Sequence, residues 1–310
     1  MLDTGLLDAG LLAAPVHDAA EGPIETDVPG VYLFPAAFEQ IIAALRVGIT
    51  RLGAGTAYRS LAIPPVISRR LIEKAGYVKA FPHLLGTVHS FAGDGREWSK
   101  LASLTDGGDW HTEQQISDLV LLPAVCYPSY ATLAGTDLAE PARFFVSGTC
   151  FRQEATAEAG RLRSFRMVEF VTAGSEEHCI DWRSGWLGTA AEWFSALGLD
   201  CSVELADDPF FGPGRKLFQA AQRNQELKLE FKIPVGPDLV QAVASANYHK
   251  DHFGEGFNFT AGGAVGHTAC MAFGLERIAL ALSHVHGTNP DRWPAAVRSV
   301  LDQPLPASVL

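Results

Sequence analysis

Two short segments of the chain hold residue types that together can do phosphoryl chemistry. Phe151-Arg152-Gln153-Glu154 leads into a polar loop, and Phe165-Arg166-Met167-Val168-Glu169 leads out of it. Alternate residues of an extended chain share a face, so Arg152 and Glu154 face one way on a first strand, while Phe165, Met167 and Glu169 share one face of a second. One face thus collects a guanidinium, two carboxylates and an aromatic ring. The guanidinium can bind an α-phosphate, the ring can stack on adenine, and a carboxylate can hold a polar substrate group, a set suited to ATP. On spacing alone, a plain strand face carrying surface ion pairs is the better reading.

The elements that must position these residues follow from periodicity. Phe38, Ile41, Ile42, Leu45, Ile49 and Leu52 recur at helical spacing and predict a helix from about Pro35 to Leu52, stopped by Gly53 and Gly55. Pro64 and Pro65 interrupt the strand-like run after it and place that run at a sheet edge or an interface. A helix over roughly Ser68 to Lys74 follows.

The β-branched and aromatic content of ARFFVSGTCFRQEA and SFRMVEFVTAG predicts a long hairpin. EEHCIDWRSGWLGTAAEWFSALGL reads as an amphipathic helix with Trp182, Trp186 and Trp193 in the core. Leu227, Leu229, Phe231 and Ile233 alternate with Glu and Lys as in a half-buried strand. HTACMAFGLERIALALSHVHG reads as a strand running into a helix at Gly274, buried through Leu275, Ile278, Ala279 and Leu282. Strands followed by strands without a βαβ rhythm predict an α+β fold, an antiparallel sheet flanked by helices.

Composition removes several classes of function. Over 310 residues, 24 Lys and Arg against 35 Asp and Glu leave a net charge of −11, and so acidic a surface disfavours a nucleic-acid partner. No apolar run is long enough to span a bilayer and the N-terminus lacks the basic start of a signal peptide, so no membrane and a cytoplasmic location are expected. Cys126, Cys150, Cys179, Cys201 and Cys270 are odd in number and widely spread, which points to thiols or thiolates rather than a disulfide framework. GxxxxGK[ST], GxGxxG after a strand, HExxH and CxxC are all absent. Any metal site must therefore draw its ligands from distant segments. The sequon at Asn258-Phe259-Thr260 is a chance match in a protein without an export signal.

The FRQE hairpin resembles motif 2 of the class II aminoacyl-tRNA synthetases, and AFGLERIALAL resembles their motif 3, whose second phosphate arginine is here Arg277. The helix and Pro-containing strand around Pro64 resemble the dimer-forming motif 1, so the resemblance spans roughly residues 35 to 286. It implies residues 1–34 as an N-terminal extension and 35–310 as one class II synthetase-like catalytic domain. Within the class, Phe165 four residues before Glu169, and the segment AVASANYHKDHF, are most similar to seryl-tRNA synthetases. With about 34 residues before the motif 1 helix and no long heptad stretch, no tRNA-binding arm is expected and hence no tRNA partner.

One family meets these conditions, the bacterial amino acid:[carrier protein] ligases, truncated relatives of the atypical zinc-dependent seryl-tRNA synthetases. The resemblance implies that a small amino acid, glycine or alanine, is adenylated by ATP with Mg²⁺ and passed to the phosphopantetheine thiol of a carrier protein by a homodimer. It implies Arg152 and Arg277 at the phosphates as catalytic residues, Arg161 toward the β and γ end, Phe165 against adenine, and Glu154 on adenine or on a cation through water. It also implies one Zn²⁺ per chain on Cys126, Glu169 and Cys270, with a position open for the amino group. The alternatives are three unconnected residues for the metal, and a tRNA-charging enzyme or an inactive regulatory paralogue for the function.

Two features depart from the family or lie outside its motifs. Gln241 stands where many relatives carry an acidic residue for a phosphate-bridging cation, so the protein ligands of Mg²⁺ are open. Between two strand-like stretches, Gly212 to Glu226 reads as a short helix placing Arg215, Lys216 and Arg223 in an otherwise acidic protein. That helix is where an acidic carrier protein would dock, or else a solvated helix face.

Overall fold

The computed structural model describes residues 22–154 and 158–302, so most of the expected N-terminal extension and the centre of the hairpin loop lie outside the described residues. The first long helix, α1 (Ala36–Leu52), begins after Pro35 and buries Phe38, Ile41, Ile42, Leu45 and Ile49, the stripe its periodicity predicts. Gly53 ends it in ordinary right-handed geometry, φ −85°. Glycine is needed there for space instead, since a Cβ would lie 2.4 Å from the ring of Phe170.

Strand β1 (Arg59–Ile63) follows, and Pro64-Pro65 then divert the chain into β2 (Val66–Ser68). Helix α2 (Arg69–Lys74), β3 (Thr87–Ser90), β4 (Gln115–Leu121) and α3 (Tyr127–Ala131) lead to the hairpin of β5 (Ala142–Phe151) and β6 (Ser164–Gly174). Helix α4 (Glu176–Ala196) packs Trp186 and Trp193 into the core and Trp182 at its margin, with Trp186 stacked on Phe170 at 4.3 Å. The tryptophans are core residues, as expected. After β7 (Ser202–Leu205) and α5 (Arg215–Asn224) come β8 (Lys228–Gly236), β9 (Leu239–Lys250), α6 (His252–Phe257), β10 (His267–Gly274), α7 (Leu275–His286) and α8 (Ala295–Asp302).

Seven strands form the main sheet in the order β7-β8-β9-β10-β6-β5-β1. Every pairing is antiparallel except the last, where β1 lies parallel to β5. The expected antiparallel sheet flanked by helices is present, with this one parallel pair at its edge. The long connection between β1 and β5 supplies the crossover that a parallel pair requires, and part of it folds as a second sheet, β2-β4-β3. One face of the main sheet is closed by α1, α4, α7 and α8 around Phe170, Phe194, Phe231 and Phe273. The other carries a second core with Tyr130, Phe144 and Phe253, and beside it lies a cavity.

Candidate active site

Alternation in β6 sends Val168 and Phe170 to the helix-covered core and Phe165, Met167 and Glu169 to the cavity. In β10, Met271 and Phe273 pack inward while Cys270 faces the cavity. The antiparallel register pairs Cys270 with Val171 and Ala272 with Glu169, which sets Cys270 and Glu169 diagonally on one face. Cys126 arrives from elsewhere, at the cap position before α3. Donor atoms of Cys126, Glu169 and Cys270 all lie within 4.8 Å of one another, in residues 6%, 2% and 2% exposed.

These three groups are able to hold a divalent metal ion. Glu169 Oε2 is buried without a hydrogen-bond partner among the described residues, a costly state for a lone carboxylate. Burial first, and then Cys270, push the Glu169 carboxyl well above its ordinary range. Contact with Cys270, then burial and Glu169, raise the Cys126 thiol. Cys270 is instead held well below the ordinary thiol range by Cys126, against the effect of burial and with help from His249 and Asn247. Asn247 Nδ2 donates to Cys270 Sγ at 3.3 Å, and His249 Nδ1 contacts Thr268 Oγ1 at 3.0 Å.

The wall of the same cavity, about 470 Å³ in volume, also carries three cations, Arg152, Arg161 and Arg277, together with Glu154 and Phe165. Sequence alternation placed Arg152 and Glu154 on the first strand, but β5 ends at Phe151. The chain there bends so that Gln153 N–H donates to Leu84 O, with Arg152 N–H still paired to Arg163 O, and both side chains reach the cavity all the same. The Arg152 guanidinium stands 5.3 Å from the Phe165 ring centroid, and its Nε donates to Pro123 O. Burial first, and then Arg152 and Arg161, push Arg277 down to about 10, with Glu230 and Glu154 offsetting part of the effect. Glu276, next to Arg277, is fixed by Arg166, whose Nε donates to Oε1 at 2.6 Å and whose Nη1 reaches Glu39 of α1 at 2.6 Å.

The class II tRNA synthetase core domain (G, H, P, S and T) matches residues 110–286. Amino acid–[acyl-carrier-protein] ligase 1 of Bradyrhizobium diazoefficiens is 42% identical over 278 residues, 88% of this chain and 85% of its own length. Ligase 2 of the same organism is 38% identical over 282 residues, 89% of this chain and 84% of its own. The chain belongs to the amino acid–[acyl-carrier-protein] ligase family. It carries the class II synthetase core fold, as superposition on the Methanopyrus kandleri seryl-tRNA synthetase, solved with A. aeolicus tRNASec, gives a TM-score of 0.78 at 22% identity. That match covers 92% of this chain and 59% of the synthetase.

In this member of the ligase family, sequence reasoning missed a third group of cavity residues. Lys228 Nζ donates to Asp208 at 2.6 Å and to Glu230 at 3.1 Å, and Asp208 Oδ2 accepts from Gln222 of α5 at 2.8 Å. Alternation along β8 does put Lys228 and Glu230 on one polar face, but that face lines the cavity and is not solvent. Helix α5 forms where expected, with Arg215 and Lys216 exposed and outside the cavity. Arg223 is engaged in an ion pair with Asp207. Leu217 is 72% and Phe218 56% exposed, so the same helix presents apolar surface.

Proposed function

We propose that the chain activates a small amino acid, glycine or alanine, as its adenylate with ATP and passes it to the phosphopantetheine thiol of a carrier protein. The observation that carries this reading is that one cavity joins the Cys126, Glu169 and Cys270 cluster to the arginines Arg152, Arg161 and Arg277 and to Phe165. The amino acid's carboxylate oxygen forms a bond to the α-phosphorus, and the bond from that phosphorus to pyrophosphate breaks. The carrier thiol then loses its proton and bonds to the carbonyl carbon, and AMP leaves.

Rate enhancement in such transfers comes from positioning and charge neutralisation. Arg152 neutralises the α-phosphate, Arg277 and Arg161 the departing pyrophosphate, and Phe165 carries adenine, with Glu154 beside it on adenine or on a water-linked cation. Cys126, Glu169 and Cys270 would hold a zinc ion, which supplies a Lewis acid able to bind a neutral amino group. Magnesium accompanies ATP. The open face of α5, with Arg215 and Lys216, suits an acidic carrier protein, with Arg223 at its end. A net charge of −11 weighs against tRNA as the acceptor.

Amino-acid-dependent exchange of labelled pyrophosphate into ATP tests the first step. Exchange with glycine or alanine supports activation; its absence with every small amino acid favours a regulator that only binds these ligands.

A further inference from the structure

The loop between the hairpin strands is held down by one side chain of β9. Gln241 is 5% exposed, and its Nε2 donates to Glu158 Oε1 at 2.7 Å and to the carbonyl of Ala159 at 2.7 Å. Both partners are acceptors, so the amide nitrogen must face them, and Oε1 points the other way, without a partner among the described residues. Oε1 lies against Gly160, where an added Cβ would be 2.3 Å away on a backbone at φ +78°. Gly160 is thus required both for its left-handed conformation and for the room it leaves. Its carbonyl in turn accepts from Arg277 Nε at 2.9 Å, while Arg277 Nη1 donates to Ala242 O, the residue after Gln241, at 2.8 Å.

A chain of contacts therefore runs from Gln241 through the loop to Arg277. A carboxylate at 241 would face the Glu158 carboxylate and a carbonyl oxygen and would repel both. The amide is the side chain that fits. We propose that Gln241 is a positioning residue that holds Arg277 in place through Gly160, and that it does so in place of binding a cation itself. The proposal rests on the reading of Arg277 as a phosphate-binding group.

Calorimetric ATP binding to the full chain tests it, with Gln241→Ala, Gly160→Ala and the double variant compared at equal magnesium. Gly160 sits in the loop, so its substitution leaves the core intact, and melting curves check that both variants fold. Each single variant should weaken ATP binding about tenfold, the scale of one hydrogen bond to a charged group. The KM for the amino acid in pyrophosphate exchange should stay within about twofold, because the reading above assigns the amino group to the Cys126, Glu169 and Cys270 cluster and not to Arg277. The double variant should bind ATP about as weakly as the worse single variant, since both break one link. ATP affinity unchanged in the singles, equal losses for ATP and amino acid, or multiplicative losses in the double would each overturn the proposal alone. An unmodified protein that binds no ATP overturns the nucleotide reading and this proposal with it.

Discussion

Glu169 and Cys270 stand on neighbouring strands, diagonal to one another, because the register of β6 and β10 sets Ala272 opposite Glu169 and Val171 opposite Cys270. A shift of one residue would turn one of the two side chains into the helix-covered core. The cluster with Cys126 therefore depends on the sheet pairing, and any metal bound there reports on the register.

Purified protein should contain about one zinc per chain, and Cys126→Ala or Cys270→Ala should lose both the metal and pyrophosphate exchange. Leaving two of three ligands in a buried site forfeits most of the binding free energy. Elemental analysis beside the exchange assay checks this; full activity in metal-free Cys126→Ala would remove the site.

Arg277→Ala and Arg152→Ala should each slow pyrophosphate exchange by about 10² or more, the scale of losing one preorganised donor to a transition-state charge. Arg161→Ala should cost less, because Arg161 is 40% exposed and already paired with Glu158 at 3.0 Å. Steady-state kinetics at saturating ATP measures the difference.

The pair of Lys228 and Asp208 should support stability across a wide pH range. Burial alone would raise the Asp208 carboxyl, but Lys228 and Gln222 outweigh it and hold it below its ordinary value. Lys228 is conversely held above its ordinary value by Asp208 and Glu230, against burial. A depressed carboxylate stabilises above its unfolded pKa and loses that contribution as pH falls through the lower folded value. A raised lysine stabilises below its unfolded pKa and loses that contribution as pH rises through the higher folded value. The contribution should thus be flat between about pH 4.5 and 9.5 and decline outside it. Lys228→Met should cost about 3 kcal/mol by denaturant unfolding at pH 7, the low end for a broken buried pair, as Asp208 keeps 32% exposure.

Much of the fold was legible because it rests on local periodicity. The stripe of α1, the hairpin and the strand running into α7 each repeat within a dozen residues. What was not legible depended on which face of an element meets water. The polar side of β8 alternates as a solvated face does, yet Lys228 and Glu230 line the cavity. Arg152 and Glu154 reach the site from a bend past the end of β5, not from the strand. Cys126, Glu169 and Cys270 have no local spacing at all, and only resemblance could bring them together.

The same distinction bears on assembly. The apolar stripe of α1, expected to serve a symmetric interface, is spent within the chain on Phe38, Ile41 and Leu45. The edge strand β1, followed by Pro64-Pro65, is left open at the margin of the main sheet, and a partner copy would pair there. Sedimentation at micromolar concentration should give about twice 33.3 kDa, and a clean monomer would exclude the dimer.

Docking of the carrier should be separable from activation. Arg215→Glu with Lys216→Glu should reduce thioester formation at limiting carrier while pyrophosphate exchange is unchanged, as both residues lie outside the cavity. Equal transfer by parent and variant would move the docking site elsewhere.

Thioester formation tests the central claim most directly. The protein is incubated with ATP, magnesium and labelled glycine or alanine, with either a phosphopantetheinylated carrier protein or bulk tRNA as acceptor. The expected result is label on the carrier in a hydroxylamine-sensitive bond, with AMP and pyrophosphate released and no label on tRNA. Label on tRNA and none on the carrier would contradict the account.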